Sequence, residues 1–145
     1  MAELIRKVDG LSGPDREVDA LIATVLEPHR FDAPGFTPKR PIPPFRYDPA
    51  EGAIRFEGGG IMDVRFFPPV TASIDAAMSL AISKLDTGAV DIEVSHRSVG
   101  GSVYGRAEIC GPQCYGVAHH IRGGPAIALC IAILRAVENK DSGHE

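Results

Sequence analysis

One segment near the end of the chain predicts a helix that is apolar on nearly every side: GGPAIALCIAILRAV, residues 123–137. Ile127, Ile131 and Leu134 recur at the i, i+4, i+7 spacing of a stripe that faces a core. Leu129 and Ile133 point away from that stripe and would meet water on an ordinary surface helix. The pattern therefore predicts that another segment, or a second copy of the chain, covers the far side of this helix.

The residues before this helix predict another helix and three antiparallel strands. Ser73 is a suitable N-cap for a helix whose apolar residues recur at helical spacing up to Leu85. Three segments of alternating polarity follow, at residues 90–95, 103–109 and 115–121. We expect one meander with an apolar face that carries both helices and a solvated face. Residues 70–138 are thus predicted to form a helix–three strands–helix core, with a tail at 139–145.

Two shorter helices are predicted in residues 1–27, the second beginning at Pro14 and ending near Pro28. Residues 28–69 differ in composition, because they hold nine of the twelve prolines and all six phenylalanines. We expect an ordered surface loop up to Pro49 and then a short hairpin with strands at 53–57 and 61–67. The predicted class is α+β: a single-domain α/β/α sandwich with a long loop rich in proline and aromatic residues.

Size and charge exclude several classes of partner. The chain has 145 residues, a net charge of −4 and no block of like charge, so duplex nucleic acid is not an expected partner. The longest apolar run, residues 125–134, is about half of a membrane-spanning length, and the first residues lack the apolar core of a signal peptide. Three cysteines fit a reducing compartment better than a disulfide framework. We expect a cytoplasmic protein without a membrane partner.

The order helix, three strands, helix also occurs in double-stranded-RNA-binding domains. Those domains need a lysine cluster at the start of the last helix to bridge phosphates. Here that place holds IRGGP, residues 121–125, with a single cation. The charge pattern therefore disfavours RNA binding.

Three motifs occur in order along the chain: GPDREVD (13–19), TASIDAA (71–77) and PAIALCIAILRA (125–136). Together they resemble the phage ABA-sandwich domain family of small phage and prophage proteins. The resemblance implies an α/β/α sandwich of mobile-element origin and brings no catalytic residues to transfer, while residues 28–69 are longer and richer in proline than the family pattern. Some small phage proteins of similar size are sponges that sequester nucleotide signals of bacterial antiviral defence, and analogy of context suggests that role here.

Arg122, Gly123 and Gly124 directly precede the predicted last helix. Unpaired N–H groups and the dipole at a helix start favour an anion, so one interpretation is a phosphate site. The other is that the two glycines only turn the chain tightly from strand into helix. Strand alternation places His119 on the apolar face as a core histidine and His120 on the opposite face, where it is the better ligand contact.

Residues 29–67 interleave arginines with aromatic rings. Rings are stacking platforms for a base, and guanidinium groups fork onto phosphate; alternatively, the rings pack the loop against the sandwich while the arginines extend into water. On the first interpretation the arginines of this region fold down beside Gly124 and form one recess with it. The predicted ligand-binding residues are then Arg40, Phe45, Arg46, Tyr47, His120, Arg122, Gly123 and Gly124.

Neither a metal nor a cofactor is predicted. Cys110 and Cys114 are separated by three residues across a predicted turn, which does not supply the four convergent ligands of a structural zinc site. No carboxylate is spaced from a nucleophile or a second carboxylate as in a known catalytic motif. The sequence motifs of serine hydrolases, kinases and dinucleotide-binding enzymes are also absent. An enzyme is therefore the less favoured class.

The sequence thus predicts a non-enzymatic protein that binds and sequesters a nucleotide second messenger. We expect a homo-oligomer, dimeric or higher, formed through the surplus apolar face of the last helix or the open face of the sheet. Two other interpretations stay open. One is a module that binds a host protein through PIPPF, residues 41–45; the other is a hydrolase of such nucleotides.

Overall fold

The computed structural model describes residues 1–85 and 90–142, and within them the fold is α+β, with four α-helices and two antiparallel three-stranded sheets. In chain order the elements are α1 (Ala2–Asp9), α2 (Arg16–Leu26), β1 (Phe45–Asp48), β2 (Ala53–Phe56), β3 (Ile61–Asp63), α3 (Ile74–Leu85), β4 (Asp91–Val99), β5 (Ser102–Cys110), β6 (Tyr115–Ile121) and α4 (Pro125–Ser142). The predicted α+β class is confirmed. No helix in these two ranges has the length and apolar character needed to cross a membrane.

The elements belong to two units. Unit 1 joins residues 1–15 to the chain from residue 69 onward, and unit 2 is residues 16–68. The segment that the sequence sets apart by its prolines therefore lies in a unit of its own, together with α2. Helix α4 continues to Ser142, so residues 139–142 of the predicted tail are helical, and residues 143–145 lie outside the described part.

Helix α4 is the centre of unit 1. One of its sides lies on β5 and β6, and α1 and α3 pack against it as well. Leu129 and Ile133 are fully buried, as are Ile127, Ile131 and Leu134. Helices of the same chain therefore cover the far side of α4, and the prediction that a surplus apolar face of this helix mediates oligomerisation is wrong. Helix α3 of the predicted helix–three strands–helix core therefore packs directly on α4.

The contact between α4 and the sheet depends on glycines that allow the backbones to approach. A Cβ atom on Gly116 of β6 would collide with the carbonyl oxygen of Ala132 and would lie 2.6 Å from the amide nitrogen of Ala136. Gly105 of β5 faces the carbonyl of Gly124, just before α4, in the same way. Side chains at these two positions would push the helix off the sheet.

The three strands of unit 1 form a meander in the order β4-β5-β6. The pairing of β4 with β5 is regular from Asp91↔Cys110 to Val99↔Ser102. Between β5 and β6 the register shifts by one residue, since Ala107 pairs with Ala118 but Gly105 pairs with Ile121. This is a β-bulge in which two residues of β6 oppose one residue of β5.

Unit 2 contains more regular structure than predicted. The hairpin strands at 53–56 and 61–63 confirm the prediction in outline, although the second ends earlier than expected and continues as a 3-10 helix, residues 64–66. The predicted loop, however, contains β1 and a 3-10 helix at residues 28–31, and β1 completes a β1-β2-β3 sheet. The core of this unit comprises Ala20, Ala23, Phe31, Ile54, Phe56, Met62 and Phe67.

We predict that Gly116→Ala destabilises the protein. The added methyl group meets backbone atoms of α4 that cannot rotate away, so we expect a loss of about 1–3 kcal/mol or more in the free energy of unfolding, measured by urea denaturation. Gly13→Ala is the matched control, because nothing lies within 4 Å of a Cβ there, and it should change stability by less than about 1 kcal/mol. Equal stability of the two variants would contradict the close approach of α4 to β6.

Candidate functional site

The face of the unit 1 sheet opposite α4 carries a cleft of about 290 Å³, here called the basic cleft. All three strands contribute to it, and none of the described residues that line it is acidic. The lining residues are Ser95, His96, Arg97, Tyr104, Gly105, Arg106, His119 and His120. His96 pairs with Gly105, whose Cβ position faces the start of α4, so the side chain of His96 lies on the other face of the sheet from the side chains of the cleft.

The bulge in β6 puts both histidines on the open face of the sheet. Ala118 and Ile121 point inward and are buried, whereas His119 and His120 are exposed and together oppose Arg106. The prediction that alternation sends them to opposite faces, with His119 in the core, is therefore wrong. The physical reason is the extra residue, which interrupts the period of two along the strand.

His120 has an unusual backbone conformation and a well-defined ring contact. Its φ of 55° lies in the left-handed region, which costs a non-glycine residue free energy and tends to occur where function requires it. Its imidazole stacks on the ring of Tyr104, with centroids 4.2 Å apart and planes inclined by 8°. The bulge thus builds a flat platform of two rings at one end of the basic cleft.

Arg106 is fixed in place by its neighbours. Its Nε donates a 3.2 Å hydrogen bond to Nδ1 of His119, so Nδ1 carries no proton and the neutral ring holds its proton on Nε2. The guanidinium also lies 3.6 Å from a carboxylate oxygen of Glu108 and 4.0 Å from one of Glu93. These contacts orient the Arg106 guanidinium beside the histidines.

Arg97 differs from Arg106, because its guanidinium has no hydrogen-bond or ion-pair partner in residues 1–85 and 90–142. It is exposed and lies opposite Tyr104 in the β4–β5 register. A guanidinium that is not neutralised within its own chain is suited to bind phosphate or carboxylate in a bidentate manner. The basic cleft therefore combines one fixed arginine, one open arginine and an aromatic platform.

The other end of the open face is acidic. Asp91, Glu93 and Glu108 lie there by register, and the hydroxyl of Tyr115 donates a 3.2 Å hydrogen bond to Glu108. This hydrogen bond raises the pKa of Tyr115, because the carboxylate stabilises the protonated phenol. The open face is thus polarised along its strands, and an anion is drawn to one end only.

Of the predicted residues in unit 1, His120 lines the basic cleft and the other three do not. Arg122 is exposed, without a described partner. Gly124 has a φ of 100°, and its N–H donates to the carbonyl of Ile121 at 3.1 Å, while a Cβ on Gly123 would lie 2.5 Å from the Ile127 side chain. Both glycines therefore have the structural role of a tight turn, which was the alternative interpretation.

Of the predicted residues in unit 2, the two rings pack inward. Phe45 lies 5.9 Å from Phe31 and 5.6 Å from Phe56 between ring centroids, and Tyr47 also packs against the core cluster. Both are only partly buried, but their inner surfaces are occupied. The packing interpretation therefore accounts for these aromatic residues.

The two predicted arginines of unit 2 have different environments. Arg40 forms an ion pair of 2.9 Å with Asp32 and donates to the carbonyl of Pro28. Arg46 is exposed, has no partner in the described residues and, with Phe45, lines a recess of about 410 Å³. Tyr47 and Arg40 do not line this recess. A single recess that joins these residues to those of unit 1 stays a prediction.

Most other arginines of unit 2 are neutralised within the unit. Arg55 pairs with Asp48 and Glu51, and Arg16 pairs with Asp19 and donates to the carbonyls of residues 64 and 67. Arg65 pairs with Asp63 and, through its side chain and backbone N–H, lowers the pKa of that carboxyl to about 2. The interleaved pattern of arginines and aromatics is thus largely used to build the fold.

The cysteines flank a hairpin turn between β5 and β6. Cys110 is exposed, Cys114 is buried, and the N–H of Gly111 donates to the carbonyl of Cys114 at 3.0 Å. Within residues 1–85 and 90–142, no group of three or more histidine, cysteine or acidic residues is placed to hold a metal ion.

The PIPPF motif at residues 41–45 turns partly inward, because Ile42 packs against the core of unit 2.

None of the protein-family models, curated proteins or solved structures compared with this chain matches it. The resemblance to the phage ABA-sandwich domain family therefore stays a prediction. Sequence reasoning missed Arg97, Tyr104 and Arg106 as site residues, although the alternation of residues 103–109 is a signal that the last two lie on the solvated face.

We predict that Arg65→Gln raises the pKa of Asp63 from about 2 towards its ordinary value of 3.8. Part of the lowering remains, because the backbone N–H of residue 65 still donates to the carboxylate at 2.8 Å. Since the folded-state pKa is depressed, the stabilisation from this pair is present above pH 3.8 and is lost as the pH falls through about 2. Carbon-13 NMR titration of the carboxyl groups measures the change.

Asp48 serves as the internal control for this titration. Its pKa is lowered by the side-chain hydrogen bond from Arg55, which the substitution leaves intact. The Asp48 resonance should therefore titrate identically in both proteins. An unchanged Asp63 titration in Arg65→Gln would contradict the ion pair.

Proposed function

We propose that this protein binds a small anionic ligand of nucleotide type in the basic cleft, and that it does so without chemical turnover. The observation that carries the proposal is the convergence of Arg97, Arg106 and the Tyr104–His120 stack on one cleft within one unit. Two guanidinium groups supply charge and directed N–H donors for phosphate oxygens. The stacked rings supply an apolar surface on which a base extends the stack.

The size of the cleft suits one part of such a ligand. Its volume of about 290 Å³ is at the lower limit for a small-molecule site, which supports binding of a phosphate and sugar with the base lying on the exposed platform. The Nε2–H of His119 adds a neutral donor beside Arg106. Three kinds of group, charged, neutral polar and aromatic, are therefore available to one nucleotide.

The hydrogen bonds of the histidines favour binding over catalysis. Nδ1 of His119 accepts from Arg106, and the ring of His120 lies flat on Tyr104. In the described residues, neither imidazole is hydrogen bonded to a hydroxyl or thiol that it could activate as a nucleophile. A site of this kind holds an anion and releases it unchanged.

Sequestration of a nucleotide signal is the biological role that we attach to this binding. A protein that binds a second messenger without turnover lowers its free concentration, as an anti-defence sponge of a phage or prophage does. The proposed phage or prophage origin is supported by the resemblance of three motifs to the phage ABA-sandwich domain family. The same resemblance makes an α/β/α sandwich the proposed architecture. The ligand class itself rests on the basic cleft alone.

We predict that calorimetric titration with cyclic dinucleotides and ADP-ribose derivatives detects binding, and that Arg97→Gln weakens it. Loss of a charged hydrogen-bond donor costs about 1.5–3 kcal/mol, or roughly 10- to 150-fold in Kd. Arg46→Gln is the matched control, since that exposed arginine also has no described partner but lies in unit 2. It should leave the affinity unchanged.

The other outcomes of this titration identify the alternatives. Loss of binding in Arg46→Gln but not in Arg97→Gln would move the site to the recess of unit 2. Absence of heat at high micromolar concentration for every ligand would overturn the proposal. A changed mass of the ligand after incubation and release would indicate a hydrolase.

We predict that Tyr104→Leu separates base recognition from phosphate recognition. The substitution removes the stacking platform but leaves both arginines, so a nucleotide should bind about fivefold or more weakly, given about 1–3 kcal/mol per stacked base. Pyrophosphate, which has no base, should bind Tyr104→Leu and the unchanged protein with equal affinity. Equal loss for both ligands in calorimetry would mean that Tyr104 acts only through the fold.

A further inference from the structure

Strand β4 has an open edge. It is an outer strand in the order β4-β5-β6, and it pairs with β5 along all nine of its residues without irregularity. In the described part of the chain, no residue outside β5 is hydrogen bonded to its backbone. A long, regular edge with unpaired N–H and C=O groups is a template for another strand.

The other strand edges of the described residues are protected in ways that β4 is not. β6 is interrupted by its bulge, and β1 and β3 are only four and three residues long. Proteins blunt exposed edges with such bulges, with short strands, or with proline and lysine. β4, residues 91–99, contains neither proline nor lysine and no bulge.

The charges of β4 are self-complementary. Glu93, Ser95 and Arg97 alternate on the open face of the sheet, and all three are exposed. If a second copy pairs antiparallel with a two-fold axis at Ser95, Glu93 of each copy lies opposite Arg97 of the other. Opposite charges directly across an antiparallel pair are stabilising, and the symmetry forms this pair twice.

We propose that two copies of this chain associate through their β4 strands, in this register, to form a continuous six-stranded antiparallel sheet. The two-fold axis is perpendicular to the sheet, so both open faces lie on the same side and both basic clefts open in the same direction. The edge, and neither α4 nor the open face of the sheet, is then the interface of the homo-oligomer.

The partner copy also contributes to the basic cleft. Arg97 lines the cleft and in the dimer is held by the partner's Glu93, much as Arg106 is held near Glu93 and Glu108 in its own chain. A guanidinium has five N–H donors, so one carboxylate partner leaves donors for a ligand. Dimerisation thereby orients the guanidinium of Arg97 and leaves some of its N–H donors available to a ligand.

Sedimentation equilibrium of charge-reversal variants of the full chain, without ligand, tests the interface. The unchanged protein should be a dimer, and Glu93→Arg and Arg97→Glu should each raise the dimer dissociation constant about tenfold or more, because each converts two attractive pairs into two repulsive ones. The double variant Glu93→Arg/Arg97→Glu restores both pairs and should recover the dissociation constant to within about threefold.

Asp91→Arg is the matched control, since it makes the same charge change on the same face of the same strand but lies opposite the partner's Val99. It should raise the dissociation constant far less than Glu93→Arg does, because residue 91 is only a diagonal neighbour of the partner's Arg97, and circular dichroism checks that each variant is folded. A monomeric unchanged protein at high micromolar concentration overturns the proposal. A double variant that is not rescued, or an Asp91→Arg variant that dissociates as Glu93→Arg does, overturns the stated register.

Discussion

The burial of α4 is the constraint on which unit 1 depends. A helix that is apolar on nearly every side is stable in water only if it is covered on more than one side, and here the sheet covers one side while α1 and α3 pack against it as well. Each fully buried leucine or isoleucine contributes about 1.5–3 kcal/mol, and five of them lie between residues 127 and 134. The inner face of β5 and β6 is thereby committed to packing, so groups that meet a ligand must lie on the outer face.

The same constraint explains how the cleft is built at a tolerable cost. Gly116 and Gly105 keep the sheet against α4, and the bulge in β6 lies between these contacts. A residue in the left-handed region costs about 1–3 kcal/mol, which is no more than the burial of one or two side chains of α4 supplies. The core can therefore sustain the strained His120 and, with it, the ring platform and the second histidine on one face.

The sequence predicts the parts of this fold that depend on local periodicity. The spacing of apolar residues predicts that α4 is apolar on nearly every side and that three alternating strands precede it. The conformational freedom of glycine indicates the turn at Gly123-Gly124. The bulge could not be predicted, because a one-residue register shift leaves no mark on the sequence while it exchanges the two faces of the strand. The partners of Arg40 and Arg55 depend on tertiary contacts, so the sequence could not distinguish neutralised arginines from open ones such as Arg97.

The distribution of charge on the open face links the edge of the sheet to its cleft. Basic and aromatic groups occupy one end of the strands and carboxylates the other, so β4 carries a positive residue at 97 and a negative residue at 93 on one side of a single strand. When two copies of β4 pair antiparallel, the order of charges along one strand is the reverse of that along the other. Each positive residue therefore lies beside a negative residue of the partner. The separation of charge that attracts an anion to one end of the open face therefore also makes the edge of β4 complementary to itself. Arg97 takes part in both, because it lines the basic cleft and lies at the edge.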